Sequence, residues 1–516
     1  MHIIIPEWGQ TPSFIIHSMS LKPRQWLRSG LVFLFVLAAF SYFNGDNGLR
    51  DHNVESRMAL VKAIVDEQRF QIDSYHNSLF ATRDKAFYEG HYYSDKAIGD
   101  SLLGAIAYKS ILWIGAKTRW VLRFKYFRDV ITILTVSILS AFIAPLLYSL
   151  VRRVSPETTT GQAVFVALAL TLGTAYFKYS TRFYGHSVAG LLLFAAFYIW
   201  FSYRHTDMIS APGIFLSGFL LGWSIITEYP TAPLAIAVGL YMFFVQWEKR
   251  RLYAWSTYAL IGLGALIPIG ILLFYNYACF GSWFSMGYAH EAVGKYSAAS
   301  ETGLFGLGLP NPTAHFLMTF HPSMGIFWQS PDLLLALPGW FHLLRSEKYR
   351  AEGWFSLLII LFYVVLFSGY YMWWGGTAFT PRHIIPILPF FVLPLSVLPK
   401  KYAPFLVVAG VLSIAQMLIV AAGNPNGLPE LVAATFEKHI TPPTGSIIYN
   451  IYLRNIMQGF FAHNLGESIF KLNGFLAFLP LLLFEAVIIG LMVVVSAGPD
   501  RVLNPHEPPG PATGQI

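Results

Sequence analysis

A few short stretches of this 516-residue chain hold the residue types that could do chemistry. Asn53 to Gln68 reads NVESRMALVKAIVDEQ. Its Met58, Leu60, Val61, Ile64 and Val65 recur at helical spacing, which predicts an amphipathic helix lying against a membrane surface. Glu55 falls in the first turn, where a carboxylate either complements the helix dipole or serves as a rigidly held base. Next come Thr82-Arg83-Asp84-Lys85 and Gly90-His91-Tyr92-Tyr93-Ser94-Asp95-Lys96. That mixture suits a sugar: aromatic faces such as Tyr92 for the ring, carboxylates for hydroxyls, and a lysine such as Lys96 for a phosphate. The bland alternative is a solvated loop with local Asp–Lys pairs. Further on, Lys178-Tyr179-Ser180-Thr181-Arg182-Phe183-Tyr184-Gly185-His186 joins two apolar runs. There Arg182 could hold an anion, and His186 is either a ligand or a satisfied structural histidine. Glu228 at Glu228-Tyr229-Pro230 reads as a cap. Last, Tyr370-Tyr371-Met372-Trp373-Trp374-Gly375-Gly376 precedes Thr380-Pro381-Arg382-His383. Tandem tryptophans often mark a lipid interface, but a belt does not require Gly-Gly before Thr-Pro-Arg-His. Trp374, Arg382 and His383 are therefore candidate substrate contacts, with Arg382 as a bidentate phosphate ligand.

The elements that must position these groups are membrane helices. The chain is 55% hydrophobic and only 12% charged, about half the charge of a soluble domain. Its single cysteine, Cys279, excludes an intrachain disulfide framework and a cysteine-based zinc site. The net charge of +8 does not point to nucleic acid, because Lys and Arg lie between apolar segments rather than in one patch. No small-residue cleavage site follows the first apolar run, where Asn44-Gly45-Asp46-Asn47 comes next, so that run reads as an uncleaved first helix.

The fold class expected is an all-α polytopic membrane protein with about twelve spans. The apolar runs are approximately 30–43, 129–151, 161–177, 186–203, 213–228, 230–247, 254–275, 326–343, 353–371, 384–398, 402–422 and 473–497. Arg152-Arg153, Arg204, Lys249-Arg250-Arg251, Arg345 to Arg350 and Lys400-Lys401 then mark cytosolic loops. Residues 1–28 form a cytosolic N-terminus and 29–498 the transmembrane domain. Extracytoplasmic loops cover 44–128, 276–325, 372–383 and 423–470, and a Pro/Gly-rich cytosolic tail runs over 499–516. One stretch resists this scheme: basic Lys117 to Arg128 falls outside the cytosol, which is reconciled by an interfacial helix over 102–127. The location expected is the cell inner (plasma) membrane, with the chemistry crowded on the extracytoplasmic side. There nucleotide sugars are absent and a membrane-anchored donor would be needed.

At these residues the sequence resembles integral-membrane glycosyltransferases of the GT-C fold, the protein mannosyltransferase-like and aminoarabinose transferase-like group. Val54-Glu55-Ser56-Arg57 is similar to an Asp-Glu-x-Arg pattern that opens the first juxtamembrane helix, with Val54 in the aspartate position. The runs TRDKAFYEGHYYSDKA, RFYGHS, FWQSPDLLLALPG and WWGGTAFTPRHIIPILPF look like segments of bacterial relatives. The resemblance implies a large first extracytoplasmic loop with juxtamembrane helices and a catalytic carboxylate just after helix one. It also implies a polyprenyl-phosphate sugar donor and an inverting displacement onto an extracytoplasmic glycan, lipid or protein. The catalytic carboxylate is then Glu55 or Asp84, with Asp51 as a displaced alternative. Asp95, Lys96, Tyr92, Arg182, His186, Trp374, Arg382 and His383 become substrate contacts. Some relatives use a divalent metal; the sequence offers no metal-ligand set. A transporter or flippase of lipid-linked saccharides, or an O-antigen ligase or polymerase-like enzyme, is the rival. Helix centres that are mostly apolar and the lack of an internal repeat count against a carrier.

Overall fold

The computed structural model describes residues 23–43, 51–119, 121–293, 306–432, 435 and 445–497. The N-terminus up to Lys22, the stretch Asn44 to Asn47 and the tail 499–516 lie outside the described residues. Helix α1, Pro23–Tyr42, buries Val32, Val36, Ala39 and Phe40. It packs on Leu479–Ala497 and on Ile143–Val154.

Among the described residues, eight helices are long and apolar enough to cross a membrane: Arg24–Tyr42, Phe124–Val154, Gly185–Thr206, Tyr229–Glu248, Trp255–Phe280, Arg350–Ser368, Lys400–Ala422 and Gly474–Ser496. Three shorter apolar helices, Thr160–Leu172, Ala211–Thr227 and Arg382–Ser396, stand among them. The architecture is that of an all-α polytopic membrane protein. The run expected at 326–343 is not one helix but three pieces, Ile326–Gln329, Pro331–Leu335 and Ala336–Leu343. Pro331 cannot donate to a preceding turn, and Ser330 before it is forced out of the helical region at φ −138°. Outward faces of Trp255–Phe280, Ala403–Ala422 and Leu479–Ala497 leave Leu263, Leu266, Phe274, Val408, Val411, Leu482, Val487 and Val494 exposed. Such a band is stable only against hydrocarbon.

The first long connection is built, not loose. Helix α2 runs His52–Lys62, capped by Asp51, and widens into the π-turn Ala63–Glu67. A hairpin follows, β1 Ala86–Tyr88 against β2 His91–Tyr93, turned by Glu89 and Gly90 at φ 48° and 84°. Then comes α3, Gly99–Thr118. The interfacial helix expected over 102–127 is thus corrected to 99–118. Arg119 at φ 60° ends it, and the next long helix starts at Phe124 rather than 129. One face of α3 packs on α2, on Ile133–Ser137 and on Ala211–Thr227, while Ile106, Trp113 and Ile114 stay exposed.

Candidate active site

The site begins at Asp51. Its extended backbone ends the chain that arrives from α1, and its Oδ1 accepts from the backbone N–H of Asn53 and Val54 at 3.2 and 3.5 Å. This is the usual reason for an aspartate at a helix start. The same carboxylate accepts from the Tyr184 hydroxyl at 2.8 and 2.7 Å and pairs with Arg182 at 3.2 Å. Arg382 donates to the Tyr184 oxygen at 3.4 Å and lies 5.4 Å from that ring, and its buried Nε has no partner among the described residues. Asp51 thereby ties the helix start to two arginines far apart in sequence.

The second half of the site hangs on Lys96. Its ammonium meets Asp95 at 2.6 Å and Asp84 at 3.0 Å, and sits 5.6 Å from the Tyr288 ring. Burial disfavours the ionised Asp84, but Lys96 outweighs it and holds the carboxyl below its ordinary range. Lys96 itself is raised well above its ordinary value by those carboxylates, against the cost of burial. Thr82 joins the hairpin to α2 by donating to the His52 carbonyl at 2.7 Å, and the Arg83 N–H donates to His52 Nδ1 at 3.2 Å.

Beneath both halves lies a buried support. Arg57, 1% exposed, meets Asn53 at 3.0 Å, Asp100 at 3.0 Å and Glu228 at 2.7 Å. Glu228 also accepts from the Gly185 N–H at 3.2 Å. A Cβ at Gly185 would come within 2.7 Å of Asp100 and of the Thr227 carbonyl, so only glycine lets helix Gly185–Thr206 start this close. Burial pushes the Asp100 carboxyl up to about 7 despite Arg57 beside it. Gly375 and Gly376, at φ 84° and 75°, fold their loop back onto Arg382, whose Cγ and backbone N are 3.0 and 3.1 Å from where a Gly375 Cβ would be.

The result is a cavity of about 330 Å³ lined by Asp51, Asp84, Lys96, Arg182, Arg382 and His383, together with Lys178, Glu291 and a set of tyrosines. Five of the ten residues singled out from sequence line it: Asp84, Lys96, Arg182, Arg382 and His383. Asp95 stands one layer back and holds Lys96. His186 is also one layer back, 3.8 Å from Glu228 and edge-on to the His383 ring at 5.7 Å. Tyr92 does not line the cavity; it covers the His76 ring at 4.0 Å and Lys85 at 4.6 Å. Trp374 is buried at 9% exposure but is not part of the lining.

Glu55 does not line it either. The turn of α2 carries it away from Asp51, and both oxygens are taken by Arg128 at 3.0 and 2.8 Å. Of the three carboxylates weighed from sequence as the base, Asp51 and Asp84 line the cavity and Glu55 does not. Tyr184, Tyr288, Tyr370, Tyr371, Tyr452, Lys178 and Glu291 were not singled out as site residues from sequence. For Asp51 a signal existed, an Asp immediately ahead of a helical pattern; for the tyrosines none did. Among the described residues no group of three or more His, Cys, Asp or Glu could hold a metal ion.

No protein-family model matches the sequence, and no curated protein does. A solved structure does resemble the fold: ArnT from Cupriavidus metallidurans bound to undecaprenyl phosphate. Its TM-score is 0.51 at 12% identity, over 92% of this chain and 76% of that one. The fold is GT-C. The Archaeoglobus fulgidus oligosaccharyltransferase in the apo form is more distant, with a TM-score of 0.43 and 11% identity over 77% of this chain and 54% of that one. At such identities the likeness concerns the GT-C path of the chain and carries no residue role.

Proposed function

We propose that this chain is a membrane glycosyltransferase that moves a sugar from a polyprenyl-phosphate donor to an extracytoplasmic glycan, lipid or protein acceptor. One observation carries the reading. Within a GT-C fold, a single cavity gathers Lys96, Lys178, Arg182 and Arg382 against Asp51, Asp84 and a wall of tyrosines. Cations of this density suit a phosphate, tyrosine faces suit a sugar ring, and carboxylates suit hydroxyls. The structural neighbour ArnT holds undecaprenyl phosphate, which supports a lipid-phosphate donor here. The cation-rich loops around Arg152, Arg250 and Arg345 support an inner-membrane topology with this cavity facing away from the cytosol.

The reaction is an inverting displacement. The acceptor oxygen attacks the anomeric carbon while the bond to the lipid phosphate breaks, and a carboxylate takes the acceptor's hydroxyl proton. Arg382, Lys96 and Arg182 hold the charge that stays on the departing phosphate. Asp84 is the base. Every oxygen of Asp51 is already claimed by two backbone N–H groups, Tyr184 and Arg182. Asp84 is ion-paired to Lys96 and lies in the field of Arg382; an arriving phosphate would attract both cations, and drawing them off restores the basicity of Asp84.

Purified protein in nanodiscs, given polyprenyl-phosphate sugars and an envelope lipid or glycan acceptor, should release polyprenyl phosphate and transfer the sugar with inverted anomeric configuration. In liposomes the carrier reading predicts a different result, intact lipid-linked sugar moved across the bilayer without cleavage. That result would sink this proposal.

A further inference from the structure

Glu291 follows the turn Gly287–His290 and is stapled to the hairpin. It bridges Ala86, and the Ala292 N–H donates to the Lys85 carbonyl at 2.9 Å. This brings the Glu291 carboxyl to the cavity wall against that of Asp95, with one oxygen, Oε2, buried and without a hydrogen-bond partner among the described residues. Asp95 is otherwise fully engaged, accepting from Ser56 at 3.2 Å and gripping Lys96 at 2.6 Å. Asp84 and Asp95 pair directly with the Lys96 ammonium, and Glu291 brings a third carboxyl into its field. Two carboxyls in contact are stable only when a proton lies between them.

We propose that Glu291 is a positioning residue for Lys96: it shares one proton with Asp95, and that shared proton sets how firmly Asp95 holds the ammonium. The inference rests on the cavity being a lipid-phosphate site. With the proton in place, Asp95 spends part of its charge on Glu291, and Lys96 can pass to an incoming phosphate. Without it, a third negative charge tightens the grip on Lys96 and repels the phosphate. The charged and titratable groups facing Glu291 are Asp84, Asp95 and Lys96 from the hairpin and its flanks, and Tyr371 from the Gly375 loop. Burial, then the Asp95 charge, pushes Glu291 up to about 10. Lys96, Tyr288 and Tyr371 are pushed above their own ordinary values, so Glu291 is the first of this group to lose its proton in alkali.

The test needs binding, not transfer, so it separates this inference from the proposed reaction. The probe is a polyprenyl phosphate methyl ester, a phosphodiester that does not titrate in alkali, bound to the full chain in nanodiscs. Wild-type affinity should fall about fourfold from neutral pH to half a unit above the Glu291 value, where only about a quarter of Glu291 keeps its proton. Glu291→Gln keeps a donor towards Asp95 and cannot ionise, so its affinity should be flat over that range. Asp95→Asn, which removes the acceptor, should also lose the alkaline limb. A wild-type profile without that limb overturns the inference, as does the same limb in Glu291→Gln. So does loss of binding on chelation of divalent cations together with loss in Glu291→Gln, which would put a cation rather than a proton between the carboxyls. If the probe binds as described but no sugar is transferred, the reaction fails and this inference stands.

Discussion

The two ends of the helix bundle both bury charge, and they treat it differently. At the end carrying the Arg204 loop, the fully buried Glu352 meets Arg204 at 2.9 Å, His205 at 3.1 Å and Tyr241 at 2.8 Å. Arg204 also forks onto Glu248 at 2.6 Å, and Lys249 donates to the Arg204 carbonyl at 3.0 Å while pairing with Asp207. That network closes on itself and ties three helix ends together. At the cavity end, charges remain that the described residues do not satisfy. The Lys178 ammonium has no ion pair or hydrogen bond among them, and burial pulls it well below its ordinary value. Arg382 reaches only a tyrosine oxygen and keeps a buried Nε without a partner. A buried cation left unmatched is costly, so such groups persist where an anion arrives to match them. The contrast separates charge that holds the fold from charge that waits for a ligand.

The largest way to sharpen that contrast lies in the two cavity carboxylates. Asp84→Asn keeps shape and removes the base, and should cost roughly 10²–10⁴-fold in turnover with the donor still bound. Asp51→Asn should weaken the hold on Arg182 and Tyr184 and act mainly on donor affinity. Single-turnover transfer and donor titration on both variants decide it. If Asp51→Asn loses the greater turnover, the base is the carboxylate nearer helix one.

Arg382 comes next. Losing a charge-assisted phosphate contact costs about 1.5–3 kcal/mol, so Arg382→Ala should weaken donor binding by roughly 10- to 150-fold. Arg382→Lys should also be impaired, because an ammonium cannot reproduce the fork. Donor affinity unchanged in Arg382→Ala would place the phosphate elsewhere.

Much of this was legible before any coordinates. The helical spans follow from apolar runs, because lipid demands continuous apolar length and that demand is local in sequence. Asp84, Lys96, Arg182 and Arg382 stood out because charge beside aromatics and glycines is rare between spans. Glu55 lies off the cavity for a definite reason. A helix start positions two carboxylates, at the cap and in the first turn, and α2 points only the cap, Asp51, into the cavity. Which of the two faces a ligand depends on the rotation of α2, fixed by Asp100 and Glu228, which hold its Arg57, and by Arg128, all from distant sequence. Glu291 and Tyr184 were hidden for the same reason, their roles being set by contacts across the chain.

At the closed end the effect on donor handling should vanish. Glu352→Ala leaves Arg204 without its buried partner and should cost about 3–5 kcal/mol of stability. At the cavity end but off the cavity itself, Glu55→Gln weakens a partly buried fork to Arg128 and should cost less. Both should keep donor affinity within a few-fold of wild type in the protein that folds. Thermal unfolding in detergent alongside donor titration checks this. A collapse of donor affinity in folded Glu352→Ala would mean that the two ends are coupled and the contrast is false.

The smallest expected effect reads the cavity's charge through stability. Glu291 titrates at about 10 in the folded chain against 4.5 ordinarily, raised by burial and then by the Asp95 charge. Between those values the folded chain holds a proton that the unfolded chain has released. Stability therefore falls as pH rises through that window, by the linkage between proton binding and unfolding. Once pH exceeds the folded value both states are ionised, and the full penalty of a buried third carboxylate remains. Asp84 acts in the opposite sense: its lowered value adds stability above its ordinary range, lost only as pH falls through the acid region. The two slopes do not overlap in alkali, so any decline there belongs to Glu291 rather than to Asp84. Glu291→Gln cannot ionise and should flatten it, giving a variant whose melting temperature exceeds wild type by a margin that widens from mildly acidic to alkaline pH. Melting curves that stay parallel across that range would mean that Glu291 is already ionised in the folded protein. The cavity would then carry one more negative charge than the arrangement of Asp84, Asp95 and Lys96 accommodates.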